Sequence, residues 1–507
     1  MGETWVSLLI LVLELFAALV LALFVAGLIA LVWMYIVDVR QKQHAIRRNY
    51  PVIGRFRYIF ERLGQFFRQY FFAQDQEEMP FNRAQRSWVY RAAKNVDGTL
   101  AFGSTKNTHQ PGTVLFASHP FPTLEEDCVE PGEFVVGPHC RQPYRSRSFF
   151  NISAMSFGAI SRPAVIALSK GAARAGCWLN TGEGGLSSYH LEGGCDIVFQ
   201  IGTAKFGVRN ETGLLDDAKL LGVAALPQVK MIEIKISQGA KPGKGGILPG
   251  IKVTEEIARI RSIPVGEDAI SPNGHPEIRN VDQLLDSIVH IRELTGKPVG
   301  FKMVVGGTSF FDDLCSAIKR RGIKESAPDF ITIDSGDGGT GAAPQSLLDH
   351  VGLNISETLP LVIDKLRQEG LKNRIAVVAS GKLITPVDVS WALCVGADFV
   401  VSARGHMFAL GCIQAMQCNK NTCPTGVTTH DPDLQKGLDP TNKAERVAHY
   451  VANMQKEVGV IAHSCGVREP RELNRKHARI VTEFGQSVPM DVFYTKAAQQ
   501  NPLFPRA

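Results

Sequence analysis

The amino-acid sequence predicts an α/β protein, a (β/α)8 barrel with an N-terminal transmembrane helix and a C-terminal helical tail. Three observations lead there. Eight short apolar runs, each ending in glycine or a polar residue, alternate with helix-length stretches between Phe149 and Ala403. Leu15–Val37 is 23 residues without a charge. Thr441–Val458 and Arg471–Val481 carry helical patterning after the last apolar run. At 507 residues the chain has room for one large barrel and its attachments.

Residues 1–37 are read as a short N-terminus and the membrane-spanning helix. At 1.5 Å per residue the uncharged run crosses a hydrocarbon core of about 30 Å with some tilt. A signal peptide fits poorly: no Lys or Arg precedes the run, the run is too long, and no small-residue cleavage site follows. Trp33 and Tyr35 stand where interfacial aromatics belong. Between Asp38 and Tyr70 there are eight Lys/Arg against two acids, which accounts for the whole net charge of +6. That asymmetry predicts a single-pass protein of the inner (cytoplasmic) membrane with its catalytic domain in the cytoplasm. It also excludes a nucleic-acid-binding surface, which would spread basic residues over the folded domain. Residues 38–78 form this basic juxtamembrane segment. Within it Phe56, Ile59, Phe60, Leu63, Phe66, Phe67, Tyr70 and Phe71 recur at helical spacing between arginines. Such a helix either lies on the membrane face or packs its stripe on the catalytic domain.

Residues 79–147 lack clear periodicity and are expected to form a small cap ahead of the barrel. The barrel itself is assigned to residues 148–430. Its strands are expected at Phe149–Ser156, Trp178–Gly182, Ile197–Phe206, Met231–Ser237, Val299–Val304, Phe330–Ser335, Ile375–Ser380 and Phe399–Ala403. Residues 431–507 are the helical tail.

The segment Gly411–Pro424 carries Cys412, Cys418 and Cys423 at C-x5-C-x4-C in a polar loop with little apolar area to bury. Three thiolates closed by Cys-Pro suit an iron–sulfur cluster of the three-iron type. A zinc site lacking its fourth ligand, or ordinary buried thiols, are the alternatives. The other seven cysteines (Cys128, Cys140, Cys177, Cys195, Cys315, Cys394 and Cys465) have no disulfide rhythm, which points to a reducing compartment.

Further motifs stand at or just after the ends of the expected strands. They are Ala154-Met155-Ser156-Phe157-Gly158, Asn180-Thr181-Gly182-Glu183-Gly184-Gly185, Glu233-Ile234-Lys235-Ile236-Ser237-Gln238-Gly239-Ala240-Lys241 and Asp337-Gly338-Gly339-Thr340-Gly341. In this order, with the cysteine loop last, the set resembles the FMN-binding synthase domain of glutamate synthases from about Phe150 to Val427. The resemblance implies a TIM-type barrel that holds FMN and a [3Fe-4S] cluster, the latter through Cys412, Cys418 and Cys423. It places Ala154, Met155 and Ser156 along the flavin, Gln200 at its edge and Lys302 as a cation near the ring. The apolar neighbours of Lys302 predict a buried, paired lysine. Gly338, Gly339, Gly341, Gly381, Lys382, Arg404 and Gly405 are the expected phosphate cradle. Ser380-Gly381-Lys382 departs from the Asp-Gly-Gly of the family at that place. Glu183 is the expected catalytic carboxylate, with Gln238 and Lys241 binding the carboxylates of a 2-oxo acid.

The activity so implied is reductive amination of 2-oxoglutarate with ammonia to L-glutamate, fed by an external electron donor such as ferredoxin. The glutamine-amidotransferase part of the usual enzyme is not expected, so ammonia comes from solution or from a separate supplying subunit. Two rival readings remain. One is a membrane-tethered FMN oxidoreductase acting on another amino or hydroxy acid. The other is an electron-transfer subunit without a substrate pocket, against which Glu183, Gln238 and Lys241 argue.

Overall fold

Eight parallel strands close on themselves, and each falls within or across one of the apolar runs. They are β1 (Phe150–Ile152), β2 (Leu179–Asn180), β3 (Ile197–Ile201), β4 (Val229–Lys235), β5 (Val299–Val304), β6 (Phe330–Asp334), β7 (Ala376–Ser380) and β8 (Phe399–Ser402). β8 pairs with β1 through Val400 opposite Phe150, which shuts the ring. The computed structural model describes residues 2–500; the last seven residues of the expected tail lie outside the described residues. The chain divides into two compact units, Met1–Ala84 and Gln85–Ala507.

In the first unit, α1 (Gly2–Arg40) contains the expected span. The helix is apolar around its whole circumference and exposed along most of its length. At its end Asp38 is fully buried and takes hydrogen bonds from Arg47, Arg55 and the Val52 amide. α2 (Gly54–Phe67) follows and runs into one π-helical turn, Arg68–Phe72.

In the second unit the barrel interior is filled in layers, as a closed barrel of this size requires. Trp178, Met231, Phe330 and Phe399 occupy the N-terminal end of the strands and pack against Val136 and Tyr144. Those two residues belong to a hairpin, Phe134–Val136 with Tyr144–Ser146. Part of the unpatterned cap therefore plugs the barrel floor. Its strands are three residues long, too short to show a period.

On the outside, α3 (Arg162–Ala175) is capped by the Ser161 hydroxyl and ends at Gly176 in the left-handed region, with φ 65°. It packs along α4 (Pro440–Ser464), the long helix of the tail. At the crossing a Cβ on Gly171 would stand 2.5 Å from Val447 Cβ, so only glycine lets the two backbones approach.

The tail corrects one expectation. Residues 471–481 are not a helix. Two 3-10 turns lead into a strand, Ala478–Val481, paired antiparallel with Val114–Phe116 and Ser487–Pro489. Ala478, Ile480 and Val481 are buried and Arg479 is not, in a segment too short for its pattern to be told from a helical one.

Replacing Gly171 by leucine should overpack the α3–α4 crossing and destabilise the barrel unit by about 1–3 kcal/mol. A thermal scan monitored by circular dichroism should show a lower unfolding midpoint; an unchanged midpoint would mean that the crossing opens freely.

Candidate active site at the C-terminal ends of the strands

Charged side chains alternate along β4 with apolar ones, and the alternation decides where they go. Ile232 and Ile234 face the helices, while Met231, Glu233 and Lys235 face the barrel interior. Glu233 is buried and accepts hydrogen bonds from Asn180 Nδ2 at 2.8 Å and Gln200 Nε2 at 2.7 Å. The Thr332 hydroxyl donates to it as well. Lys302 on β5 pairs with Asp334 on β6 at 3.2 Å. Asp334 also accepts from the Ser380 hydroxyl at 3.1 Å and from the Gly239 amide at 3.0 Å. Burial opposes the charge on Lys302, but Asp334 and Glu233 outweigh it and hold the ammonium above the usual lysine range. Lys302 is thus the buried, paired lysine that its apolar neighbours predict. Asn180, Glu233, Lys302 and Thr332 line a cavity inside the barrel.

One layer nearer the mouth, Lys235 Nζ lies 2.9 Å from Glu183 Oε1 and donates to Gln238 Oε1. Gly202 and Gly246 flank Glu183; a Cβ on either would stand within 2.5 Å of its side chain. Burial raises the proton affinity of Glu183, yet Lys235, Lys241 and Arg261 prevail and keep the carboxyl below its ordinary range. Lys241 is buried, and its pKa is pushed down to about 8 by burial against the opposing pull of Glu183. Arg261, also buried, donates to the Ser156 hydroxyl at 3.4 Å and to the Phe157 carbonyl at 3.2 Å. Three cations thus surround one carboxylate. Such a cluster suits a dianionic acid whose carboxylates take up the excess positive charge, with Glu183 ionised and able to accept a proton.

The expected phosphate cradle is assembled in part. Arg404 is half-buried beside Gly339 and donates to the Asp337 carbonyl at 2.5 Å. Lys382, with φ 52°, stands 3.7 Å from Asp337. A Cβ on Gly381 would lie 2.1 Å from Ser335 Oγ, a fully buried hydroxyl with no hydrogen-bond partner among the described residues. Gly341 borders open space. Gly405 is different: its missing Cβ makes room for the Tyr450 hydroxyl at 2.3 Å, a packing role. Ala154, Met155 and Ser156 pass beneath Gly182, where a Cβ would reach the Ser156 amide at 2.8 Å. Partly buried cations, glycine backbone and an unpartnered hydroxyl fit a phosphorylated, planar cofactor such as FMN.

The cysteine loop winds through left-handed residues at Gln414, Met416 and Asn421. Burial pushes the Cys412 thiol up to about 12. Cys423 is held below the thiol range: burial raises it, and hydroxyls of Thr425 and Thr428 more than offset that. Among the described residues, His, Cys, Asp and Glu side chains are not gathered three at a time into a metal-ligand group. The surroundings nonetheless fit an anionic centre. Lys252 is buried, and its ammonium meets the carbonyl oxygens of Ala159 at 2.8 Å and Cys418 at 3.2 Å.

A family model described as the conserved region in glutamate synthase matches residues 122–468, more than half of the chain. The chain belongs to the glutamate synthase family. It is similar to the glutamate synthase large subunit-like protein YerD of Bacillus subtilis, 39% identical over 92% of this chain and 97% of that protein. An archaeal glutamate synthase [NADPH] of Methanocaldococcus jannaschii is 37% identical over 65% of this chain and 61% of its own. A glutamate synthase large subunit-like protein of Rhizobium meliloti is 30% identical over 64% of this chain and 73% of its own. As a member of the glutamate synthase family the chain is an oxidoreductase.

Sequence reasoning singled out no role for Glu233, Lys235, Asn180, Asp334 or Arg261. The signal for the first two was present. Acid and base at alternate positions of Met-Ile-Glu-Ile-Lys-Ile can only be tolerated facing a polar barrel interior. Arg261 ends a helix outside the motifs and has no such mark.

Replacing Glu233 by alanine should leave Asn180, Gln200 and Thr332 without their shared acceptor. Removing one partner of a buried charged network costs about 3–5 kcal/mol. The expected result is a clearly lower thermal midpoint, with Glu233→Gln recovering part of it. Equal midpoints for Glu233→Ala and the parent would show the network to be dispensable.

Proposed function

We propose that this glutamate synthase family member forms L-glutamate from 2-oxoglutarate and ammonia by an FMN-dependent reductive amination. The observation that carries the reading is the array of Lys235, Lys241 and Arg261 around Glu183 at the mouth of the barrel. When bound, FMN supplies hydride to the imine carbon. The residues that would hold it are Ala154, Met155, Ser156, Gln200 and Lys302, with Gly338, Gly339, Gly341, Gly381, Lys382 and Arg404 toward the phosphate. Lys241 and Gln238 bind the carboxylates of the oxo acid, and Arg261 is a further cation within reach of the same cluster. Glu183, ionised, takes the proton released as ammonia adds to the keto carbon, and the imine forms with loss of water. Lys235 keeps that carboxylate ionised and fixes its direction.

Cys412, Cys418 and Cys423 are proposed ligands of a [3Fe-4S] cluster that passes electrons from an external donor such as ferredoxin. The archaeal relatives are named for NADPH, so a nicotinamide-fed partner is the other donor class. Ammonia comes from solution or from a separate subunit. α1 is the proposed membrane anchor, with the catalytic unit in the cytoplasm; its length and composition support this.

Anaerobic mixing of photoreduced protein with 2-oxoglutarate and ammonium should reoxidise the flavin and yield glutamate, with glutamine inert as the nitrogen source. A flavin that stays reduced here but is reoxidised by another oxo acid would overturn the substrate reading. Lys241→Ala should weaken 2-oxoglutarate binding by a charge-assisted contact of roughly 1.5–3 kcal/mol, or about one to two decades in Kd. Glu183→Ala should instead lower turnover and leave flavin content unchanged.

The lowered pKa of Lys241 gives a pH test with a definite sign. Its ammonium is charged below about pH 8 and discharges as pH rises through that value. Affinity for the dianion should therefore fall on raising the pH through 8, and Lys241→Ala should flatten the profile. Iron and sulfide analysis with electron paramagnetic resonance of the oxidised protein should find a three-iron signal. Zinc, or no metal, after anaerobic purification would end the cluster assignment.

A further inference from the structure

In the first unit, α2 and its π-helical turn expose a continuous aromatic face. Phe60, Phe71 and Phe72 are 63%, 74% and 75% exposed, and Phe56, Ile59, Leu63, Phe66 and Tyr70 are open as well. At 100° per residue, Phe56, Ile59, Phe60, Leu63, Phe66 and Phe67 fall on one side of α2. Arg62 borders that side on one flank and Arg57 on the other, while Glu61 stands opposite. Phe56 stacks on Phe60, and Phe67 meets Phe71, so the rings form one surface rather than scattered side chains. A contiguous apolar face of this kind is costly to leave on water and marks an interaction surface.

The link to α1 is rigid. Asp38, the first acid after the uncharged span, is fully buried between Arg47 and Arg55, at 2.6 and 2.7 Å. It also accepts from the Val52 amide at 3.0 Å. The start of α2 is therefore tied to the end of the apolar helix, at the level where a bilayer would give way to headgroups. Arg55 serves this clamp, which leaves Arg57, Arg62 and Arg68 for solvent-side charge.

We propose that residues 54–72 are a second membrane element: a helix lying in the cytoplasmic headgroup layer, aromatic face down, with its arginines paired to anionic lipid. This rests on α1 being the anchor and adds to it the surface and the lipid class. Three observations select a bilayer as the occupant. The face continues directly from the spanning helix, it is rimmed by arginines on both sides, and the Asp38 clamp holds its first turn beside the membrane end of α1. Amphipathic helices of this composition sit about 5–10 Å into the headgroup and acyl boundary. Arginines near an anionic surface add an attraction that falls off within a Debye length.

The test uses the full chain in vesicles of phosphatidylcholine with and without phosphatidylglycerol. Phe60→Trp and Glu61→Trp variants are compared with the parent, and lipids brominated on the acyl chain serve as the quencher. Added emission from Phe60→Trp should be largely lost, and that from Glu61→Trp largely kept. The quenching should deepen with phosphatidylglycerol and lose that dependence in Arg57→Gln/Arg62→Gln/Arg68→Gln. Chains that float with the vesicles but show no difference between the two tryptophan variants would overturn the interfacial helix while leaving the anchor. Chains that fail to float would overturn the anchor and this inference together.

Discussion

The structure depends on placing several charges inside a barrel of eight strands without leaving any alone. Glu233, Lys302 and Asp334 are buried, and isolated burial of any one would cost several kcal/mol. They survive because each is shared. Glu233 takes three donors from three strands, and Asp334 takes a lysine and a hydroxyl from two others and a backbone amide from the loop after β4. Strand register does this work. Gln200 stands opposite Glu233, Lys302 opposite Thr332, and Asp334 opposite Ser380. A one-residue slip in any strand would turn its polar member out toward the helices and strand the others. The network therefore fixes the register as much as it is fixed by it.

The same pairing grades the barrel from dry floor to charged mouth. Trp178, Met231, Phe330 and Phe399 close one end with the hairpin plug. The middle layer is polar and satisfied internally. At the mouth the balance tips: Lys235, Lys241 and Arg261 all act on Glu183. An excess of buried positive charge is costly in the free protein and is relieved by an incoming dianion. The lowered proton affinities of Lys241 and Arg261 express that cost, since burial outweighs the help of Glu183 for both. The mouth of the barrel is thus biased toward anions.

Much of this could be read from sequence, and the reasons differ by element. Parallel strands covered on both sides read as uninterrupted apolar runs, so all eight were found even though β2 has only two paired residues. The site glycines were legible as motifs, yet their purposes were not. Gly405 yields to Tyr450, which arrives from α4, and Gly171 to Val447, both contacts that exist only after folding. The cap was illegible because its strands are three residues long. Residues 471–481 misled because their burial is set by a partner strand more than 300 positions earlier in the chain. Glu233 and Lys235 stood in plain sight inside a quoted motif. They went unassigned because alternate charges on a strand are meaningful only once the strand is known to face a barrel interior.

Two buried lysines show how the cofactor regions differ in kind. Lys302 is complete within the protein: Asp334 and Glu233 neutralise it, and its ammonium is more secure than in water. Asp334 fixes its position, so its positive field acts inside the barrel with no rearrangement. Lys252 is no more exposed, but its hydrogen bonds run to two carbonyl oxygens, one of them in the cysteine loop. Carbonyl dipoles satisfy donors without cancelling charge, so Lys252 carries a net positive field into Gly411–Pro424. Thiolates cannot gather in a low-dielectric loop without a counter-charge. Lys252 supplies one from outside the loop, held by the same carbonyl that shapes the loop at Cys418. Packing alone gives no reason to bury an ammonium there.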